Sequence, residues 1–296
     1  MYRNQIIQIA NILSINFQRT KNPGLIKGYL GIAFFFYYYA RYIGLYYYED
    51  MANSLLEEVL RIDIKHMPKT FANGVYGVGW LVKRLIKENF LEDVSGSLKT
   101  FEELSQQRYS EKEILFEQMS EPPICSKILI ELDASSQMEQ NLRENIEAVL
   151  NWKGETKGAT FWISIIYYII KNAHYYDKIN AFQQYRQRLD FCLCQCLKTA
   201  RYTKQDLFII NLLQKKYGLF RNVDIINIRY DMLRDAYMNW QTIVYDDVID
   251  IDEYLPVAAL KDYLSVINFY IPESHLSMEG LCSLGVNLIK KSEKRE

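Results

Sequence analysis

Glycine and proline are scarce in this chain of 296 residues, which has only 13 glycines and 6 prolines. Their combined share is roughly half of the average in globular proteins. Sandwiches, barrels and doubly wound sheets need frequent turns, and glycine and proline are the residues that most often form them. The shortage argues against all three architectures and favours a chain that is mostly helical.

The chain also lacks a strong net charge and a long apolar run. Its 35 basic and 36 acidic residues leave a net charge of −1, which excludes a global field that would attract nucleic acid or an anionic membrane. The apolar stretches at 30–40 and 159–170 are shorter than the roughly 20 residues of a membrane-spanning helix. We therefore expect no nucleic-acid partner and no transmembrane segment.

Two features of the sequence bear on the cellular compartment. The first residues show no pattern of a secretory signal. The five cysteines are an odd and unevenly spaced set, which fits a reducing compartment better than a framework of disulfides. These features predict a cytoplasmic protein.

Two kinds of helix are visible in the hydrophobic pattern. Over residues 48–60 apolar side chains recur every three or four positions, with charged residues on the opposite face, which is typical of an amphipathic helix. Residues 32–40 and 161–170 are apolar nearly all round, as in an enclosed helix. A third enclosed run begins at Trp80, and we expect Lys83 and Arg84 to cut it short. The two kinds predict an inner and an outer layer.

A glycine-containing segment recurs along the chain. Its four copies align at Gly28, Gly74, Gly158 and Gly280. The spacings of 46, 84 and 122 residues are near one, two and three multiples of about 42, a period typical of paired-helix repeats. The chain thus divides into about seven units of one enclosed and one amphipathic helix. Glycine there would allow close approach of backbones and leave amide N–H groups pointing inward.

The first two copies read GLIKGYLGIA at 24–33 and GVYGVGW at 74–80. They resemble the inner-helix signature of the lanthionine synthetase C-like (LanC-like) family, the cyclases that close thioether rings in lantibiotics. The similarity covers about residues 20–95 and is weaker at 154–172 and 278–290. The resemblance implies an all-α fold, an (α/α) toroid of seven helical hairpins in inner and outer layers. We predict a single domain of this kind over residues 1–296.

Zinc chemistry does not carry over from the family. Its cyclases hold one zinc with two cysteines and a histidine at later inner-helix starts, where the metal lowers the pKa of a peptide thiol. The corresponding starts here, near 200–206 and 240–247, contain neither residue. We predict no cofactor. A relocated zinc site at His275 and Cys282 is the weaker alternative, because a catalytic zinc needs three protein ligands.

Side chains at the inner-helix starts would ring one mouth of a toroid. Tyrosine and tryptophan beside a few charges suit either an extended peptide or a sugar. The candidates for binding at this mouth are Lys27, Tyr29, Tyr76, Trp80, Lys157, Trp162, Asp206, Asp247 and Glu279. Packing of the loops is the alternative role for each, and no catalytic residue is assigned.

Three functions remain open from the sequence. The favoured one is a zinc-free protein of a lanthipeptide-type pathway that binds a peptide substrate, or the modifying enzyme, as a scaffold. The second is an active peptide cyclase with an atypical metal site. The third is a carbohydrate-active α/α barrel, which needs two facing carboxylates at the rim. Asp206, Asp247 and Glu279 are the candidates for that pair.

Overall fold

The computed structural model describes residues 2–62, 66–68, 70–92, 210–212, 214, 257–267, 271, 275–278 and 280–294. These residues form helices and connecting turns, and none of them lies in a strand. The prediction of an all-α chain is confirmed for this part. None of the described helices is long and apolar enough to cross a membrane.

The chain divides into two compact units. One comprises Met1–Gln107 with Tyr237–Glu296, and the other comprises Arg108–Ala236. In the second unit, the described residues 210–212 and 214 are helical. The described helices of the first unit are α1 (Arg3–Asn16, followed by a 3-10 turn at Phe17–Arg19), α2 (Tyr29–Ile43), α3 (Tyr46–Leu60), α4 (Val75–Lys87), α5 (Val257–Ile267) and α6 (Leu281–Glu293).

Helix α2 is enclosed, as predicted. Every residue from Tyr29 to Ala40 is buried, because no charged side chain interrupts this stretch. The helix ends at Gly44, whose left-handed backbone (φ 73°) few other residues adopt. The N–H groups of Gly44 and Leu45 both donate to the carbonyl of Ala40, at 2.8 and 3.2 Å. This tight turn brings α3 back against α2.

Helix α3 is amphipathic, as predicted, with one buried and one solvent-exposed face. Its buried side chains, Ala52, Leu55, Leu56 and Val59, recur at the helical period. The prediction placed Leu60 on the same apolar face, but this side chain is 43% exposed at the end of the helix. The amphipathic pattern is otherwise confirmed.

The third enclosed run ends at Lys83 and Arg84, as predicted, and both of these side chains are half-buried. Helix α4 continues through Lys83 and Arg84 to Lys87, and Leu85 beyond them is fully buried. The helix tolerates Arg84 because its guanidinium forms an ion pair with Glu88, one turn further on. Residues Val75–Val82 are buried throughout, so α4 is enclosed over its first two turns.

The enclosed helices lie side by side in a defined order. Helix α6, buried from Leu281 to Ile289, packs against both α1 and α2. Helix α2 meets α4 through the rings of Phe34 and Trp80, whose centroids are 5.7 Å apart. The last enclosed helix of the chain is therefore the neighbour of the first, and the first is the neighbour of the second. The amphipathic helices α1, α3 and α5 alternate with them along the sequence.

Candidate functional site

Three enclosed helices begin in the same way. Gly28, Gly74 and Gly280 are the residues that immediately precede α2, α4 and α6, and in each helix no side chain caps the N-terminus. These are the glycines that align in the sequence repeat. The repeat alignment is confirmed at these three copies, while Gly158 lies outside the described residues.

The glycines are needed because the preceding loop folds back over the first turn of the helix. The N–H of Tyr29 donates to the carbonyl of Asn22, and the N–H of Val75 donates to that of Pro68, both at 2.9 Å. A Cβ at Gly28 or Gly74 would clash with the same carbonyl oxygen. The close approach of backbones is thus confirmed. The first N–H of α2 and of α4 is bonded to its own loop, and amide groups that point inward stay a prediction.

A second glycine, one turn into the helix, is needed for the same steric reason. A Cβ at Gly31 would lie 2.5 Å from the carbonyl oxygen of Leu25, and one at Gly77 would clash with that of Phe71. Helix α6 has Ser283 in this register, and its hydroxyl donates to the carbonyl of Met278. The spacing of the glycines that carries the family resemblance therefore has a steric cause, which is the loop that folds back over the first turn of each helix.

The loops of the three copies are joined by a run of backbone hydrogen bonds. The N–H of Met278 donates to the carbonyl of Ile26 at 3.0 Å, and the N–H of Ile26 donates to the carbonyl of Ala72 at 2.9 Å. Each of these residues is the second before its glycine, so equivalent positions are bonded from copy to copy. We call the bonded residues Ile26, Ala72 and Met278 the loop strip. No motif in the sequence identifies it.

The first two loops are also packed backbone against backbone. The side chain of Asn22 donates from Nδ2 to Oδ1 of Asn73 at 3.0 Å, and its own Oδ1 accepts the N–H of Gly24 at 2.8 Å. A Cβ at Gly24 would lie 2.5 Å from the carbonyl oxygen of Ala72. The first two loops therefore form a closely packed, hydrogen-bonded layer at the starts of α2 and α4.

The described candidates for the mouth differ in exposure. Lys27 is exposed, whereas Tyr29, Tyr76 and Trp80 are buried. Burial, and next the negative charge of Glu58, raise the pKa of Tyr29. Binding at a mouth stays a prediction for all four.

Trp80 has a packing role in this structure. Its ring meets those of Phe34 and Phe71 edge to face, with centroids 5.7 and 5.8 Å away. Such pairs add to the stabilisation from burial alone. The remaining candidates, Lys157, Trp162, Asp206, Asp247 and Glu279, lie outside the described residues.

The weaker metal candidate, Cys282, is poorly suited to bind a metal. Its thiol is fully buried and donates to the carbonyl of Leu276, with a distance of 2.8 Å from sulfur to oxygen. Burial raises its pKa well above the ordinary value, and only the thiolate is a good ligand or nucleophile. His275 is half-buried in the loop before α6. Within the described residues no three side chains of His, Cys, Asp or Glu are grouped to hold a metal ion.

Three basic side chains and one aliphatic side chain are exposed in the segment of the first unit that leads into α2 and contains one residue of the loop strip. Arg19, Lys21 and Lys27 are exposed, and residues 17–28 include no acidic residue. Ile15, on the last turn of α1, is 80% exposed. We call these four residues the loop-end surface. Sequence reasoning selected only Lys27 of the four, although three basic residues within twelve were a usable signal.

A polar cluster lies at the C-terminal ends of the enclosed helices, away from the helix starts that carry the loop strip. The hydroxyl of Tyr38 donates to the carboxylate of Glu88, which also pairs with Arg84. The ammonium of Lys290 lies 5.3 Å from the centre of the Tyr38 ring. Tyr38, Arg84 and Lys290 occupy the same register, counted from the three aligned glycines. Burial is the main reason that the pKa of Tyr38 is raised. Sequence reasoning missed this cluster.

Comparison of the chain with protein-family models, with curated proteins and with solved structures found no match.

Proposed function

We propose that this protein is a LanC-like helical toroid without zinc, which binds a peptide as a scaffold in a peptide-modification pathway. The loop strip carries the proposal. In an open array of repeats each unit contacts only its neighbours in sequence. Here the loop of the last copy is bonded to the loop of the first, which is bonded to that of the second. Contact between the first and last repeats is what a closed ring requires.

A scaffold fits the described chemistry better than a cyclase. A cyclase needs a group that generates a thiolate, and zinc with cysteine ligands is the usual one. The thiol of Cys282 is buried, protonated and engaged with a backbone carbonyl. The sequence has neither cysteine nor histidine at the starts near 200–206 and 240–247.

A peptide is the ligand that best fits the exposed chemistry of the loop end. The loop-end surface combines three cationic side chains with the aliphatic Ile15, and the backbone next to Lys27 is held by the loop strip. The exposed groups described there are not aromatic, whereas sugar sites are commonly lined with aromatic faces. An extended peptide can use charge, apolar contact and backbone hydrogen bonds together.

The proposal is tested by titrating the full-length protein into a fluorescein-labelled peptide that contains serine, threonine and cysteine. A second titration uses the same peptide with its serine and threonine dehydrated. Fluorescence anisotropy measures binding before and after dialysis against EDTA, and a thiol assay follows the peptide cysteine. We expect saturable binding that chelation does not change and no loss of free thiol.

Three outcomes would contradict the proposal. Thiol loss that depends on added zinc would identify a cyclase with an atypical metal site. Binding and cleavage of an oligosaccharide in place of the peptide would identify a carbohydrate-active enzyme. Absence of binding to both forms of the peptide would contradict the scaffold function itself.

A further inference from the structure

We propose that the outer face of α3 is a docking surface for a basic peptide segment of a partner protein. The surface has exposed tyrosines at its start and carboxylates along its length. It is formed by Tyr46, Tyr47, Asp50, Glu57 and Glu58, which we call the α3 face. Docking there is a further function, beyond the binding of a substrate peptide, and it requires neither zinc chemistry nor a closed ring.

The five residues lie on one side of a single helix. At about 100° per residue, their positions fall within an arc of roughly 120°. All five are exposed, and so are Ser54 and Arg61, whose positions fall in the same arc. The four buried side chains of α3 lie outside this arc, on the side where the helix packs against α2. The α3 face is therefore one surface by the geometry of the helix itself.

The aromatic end of this surface is exposed and yet held in place. Tyr46 and Tyr47 are 82% and 65% exposed, and Leu45 before them is exposed as well. The ring of Tyr47 meets that of Tyr48 edge to face, with centroids 5.2 Å apart, and Tyr48 meets the buried ring of Tyr39 in the same way at 4.7 Å. Adjacent exposed apolar side chains indicate an interaction site. A tyrosine ring that is already fixed loses little entropy when a ligand covers it.

The remainder of the α3 face is acidic. Helix α3 contains four acidic residues and no basic one. Among the described residues, the carboxylates of Asp50 and Glu58 take part in no ion pair, and that of Glu57 pairs with Arg61 at 3.2 Å. Both members of this pair are exposed, so the pair contributes little and does not prevent Glu57 from meeting a ligand.

The acidic charge also acts on the neighbouring helix α2. Burial, and next the charges of Glu49 and Glu57, raise the pKa of Tyr37, and no described basic side chain opposes them. Burial is likewise the main reason that the pKa of Tyr39 is raised, and there Arg3 of α1 acts in the opposite direction. Even with this arginine and the one paired with Glu57 counted against the four acidic residues of α3, negative charge is in excess. A cationic ligand is therefore favoured.

The spacing along the helix indicates a peptide. Asp50 and Glu57 are two turns apart, which corresponds to about 10 Å on the same side of the helix. The side chain of Ser54, between them, is small, and its hydroxyl donates to the carbonyl of Asp50 at 2.9 Å. Lysine or arginine residues seven positions apart in a helical peptide reproduce this spacing. Their cationic groups and aliphatic stems also suit the rings of Tyr46 and Tyr47.

Other ligands fit the α3 face less well. Nucleic acid and anionic membranes carry the same sign of charge as the carboxylates. An oligosaccharide can stack on tyrosine rings, but it offers no positive charge, and the outer side of a single helix is convex where sugar sites are concave. A symmetric contact with a second copy would place the acidic side chains of one α3 face against those of the other.

The test measures binding of fluorescein-labelled peptides to the full-length protein by anisotropy. The first peptide is helical, with lysine and arginine at intervals of seven residues and leucine between them. The second has glutamine at the basic positions. We expect the first to bind at least about 10-fold more tightly than the second, and its affinity to fall as salt is raised.

Charge variants compare the α3 face with another helix. We expect Asp50→Asn with Glu57→Gln to weaken binding of the basic peptide by about 10-fold or more. The matched control is Asn4→Lys with Asn11→Lys, which changes the net charge by the same amount at two exposed positions of α1 with the same spacing. This control should change the affinity less than about 2-fold. Circular dichroism checks that each variant is folded.

Aromatic variants test the other end of the surface. We expect Tyr46→Ser with Tyr47→Ser to weaken binding by about 5-fold or more, because the rings that cover the ligand are removed. Tyr46→Phe with Tyr47→Phe keeps the rings and should stay within about 2-fold of the parent chain.

Three results would overturn the proposal. The first is equal affinity for the basic and glutamine peptides, or an equal loss in the α1 control. The second is binding of a neutral oligosaccharide that the serine variants abolish and the charge variants do not, which would assign the tyrosines to a sugar. The third is a dimer in analytical ultracentrifugation that the serine variants dissociate, which would assign the surface to a second copy of the chain.

Discussion

Glycine has a specific steric role at the starts of the enclosed helices. Because the loop carbonyl of Pro68 lies directly against Gly74, a side chain there would meet backbone atoms that cannot move independently. Gly44 is a different case. Its φ of 73° favours glycine, but a Cβ would find nothing within 4 Å. One glycine is required by close contact and the other by conformation.

This difference predicts unequal costs for two matched substitutions. We expect Gly74→Ala to lower the free energy of unfolding by about 3 kcal/mol, because the loop must move away from the helix. Gly44→Ala should cost about 1 kcal/mol, the usual penalty for a left-handed alanine. Urea unfolding of the two variants and the parent chain measures both. A loss for Gly74→Ala no larger than that for Gly44→Ala would contradict the folded-back loop.

Cys282 is held as a neutral thiol, and this gives a prediction with a definite sign. Burial raises its pKa in the folded state, whereas the unfolded thiol loses its proton above about pH 8.5. The stabilisation from the neutral thiol is therefore complete below that pH and is lost as the pH rises above it, by at most about 1.4 kcal/mol per pH unit.

The measurement is the free energy of unfolding in urea for the parent chain and for Cys282→Ala. Between about pH 8.5 and 10 the parent should lose stability more steeply than the variant, since the ordinary tyrosine pKa of about 10 lies above this window. Parallel pH profiles would show that the thiol is not buried in the neutral form.

The cluster of Tyr38, Arg84 and Glu88 explains how adjacent enclosed helices are joined at their C-terminal ends. Tyr38 belongs to α2, while Arg84 is on α4 and Glu88 directly follows it. The hydrogen bond from the tyrosine hydroxyl to the carboxylate of Glu88 links the two helix ends. Arg41 of α2 adds a further link, because its guanidinium donates to the backbone carbonyl of Glu88 at 2.5 Å.

A double-mutant cycle tests this link between the helices. We expect Tyr38→Phe and Glu88→Gln to show a coupling of about 1–2 kcal/mol, as for a hydrogen bond to a charged group. Tyr37→Phe is the matched control, because its hydroxyl donates to Oδ1 of Asn53, at 2.6 Å, and not to Glu88. It should be additive with Glu88→Gln within about 0.5 kcal/mol. Additivity in both cycles would contradict the link.

The C-terminal helix is part of the core of the first unit. Helix α6 packs against α1 and α2, and its Gly285 lies so close to the ring of Phe35 that a Cβ would clash. Large apolar side chains of α2, such as Phe34 and Phe35, are fully buried. Removing α6 would expose apolar surface on helices at the opposite end of the sequence.

Truncation after residue 271 should therefore abolish cooperative unfolding. We expect the shortened chain to lose its sharp thermal transition in circular dichroism and to bind a hydrophobic dye, because the apolar face against α6 is uncovered. The full chain is the reference. A truncated chain that melts as sharply and at the same temperature would show that contact between the last and first copies is dispensable.

Local pattern was sufficient to predict the helical class, the enclosed nature of α2 and the amphipathic α3, because hydrophobic period reports burial directly. The aligned glycines also predicted the starts of three enclosed helices. The enclosed run stops at Lys83 and Arg84, as the pattern predicts, but the helix continues past them, because a charged residue can be half-buried when a partner such as Glu88 is one turn away.

The loop strip and the polar cluster could not be predicted for a different reason. The strip is made of backbone groups of Ile26, Ala72 and Met278, which carry no side-chain signal. The cluster depends on which helices are neighbours in space, which no single helix encodes. The exposure of Ile15, by contrast, follows the pattern of α1, because this residue shares a helix face with Asn4, Gln8 and Asn11.

We propose that this chain binds a peptide without using a metal. An anisotropy titration of the labelled serine-, threonine- and cysteine-containing peptide with EDTA-dialysed full-length protein tests it most directly. We expect a saturable curve that superimposes on the curve of undialysed protein. A curve that is flat after chelation and restored by zinc would contradict it.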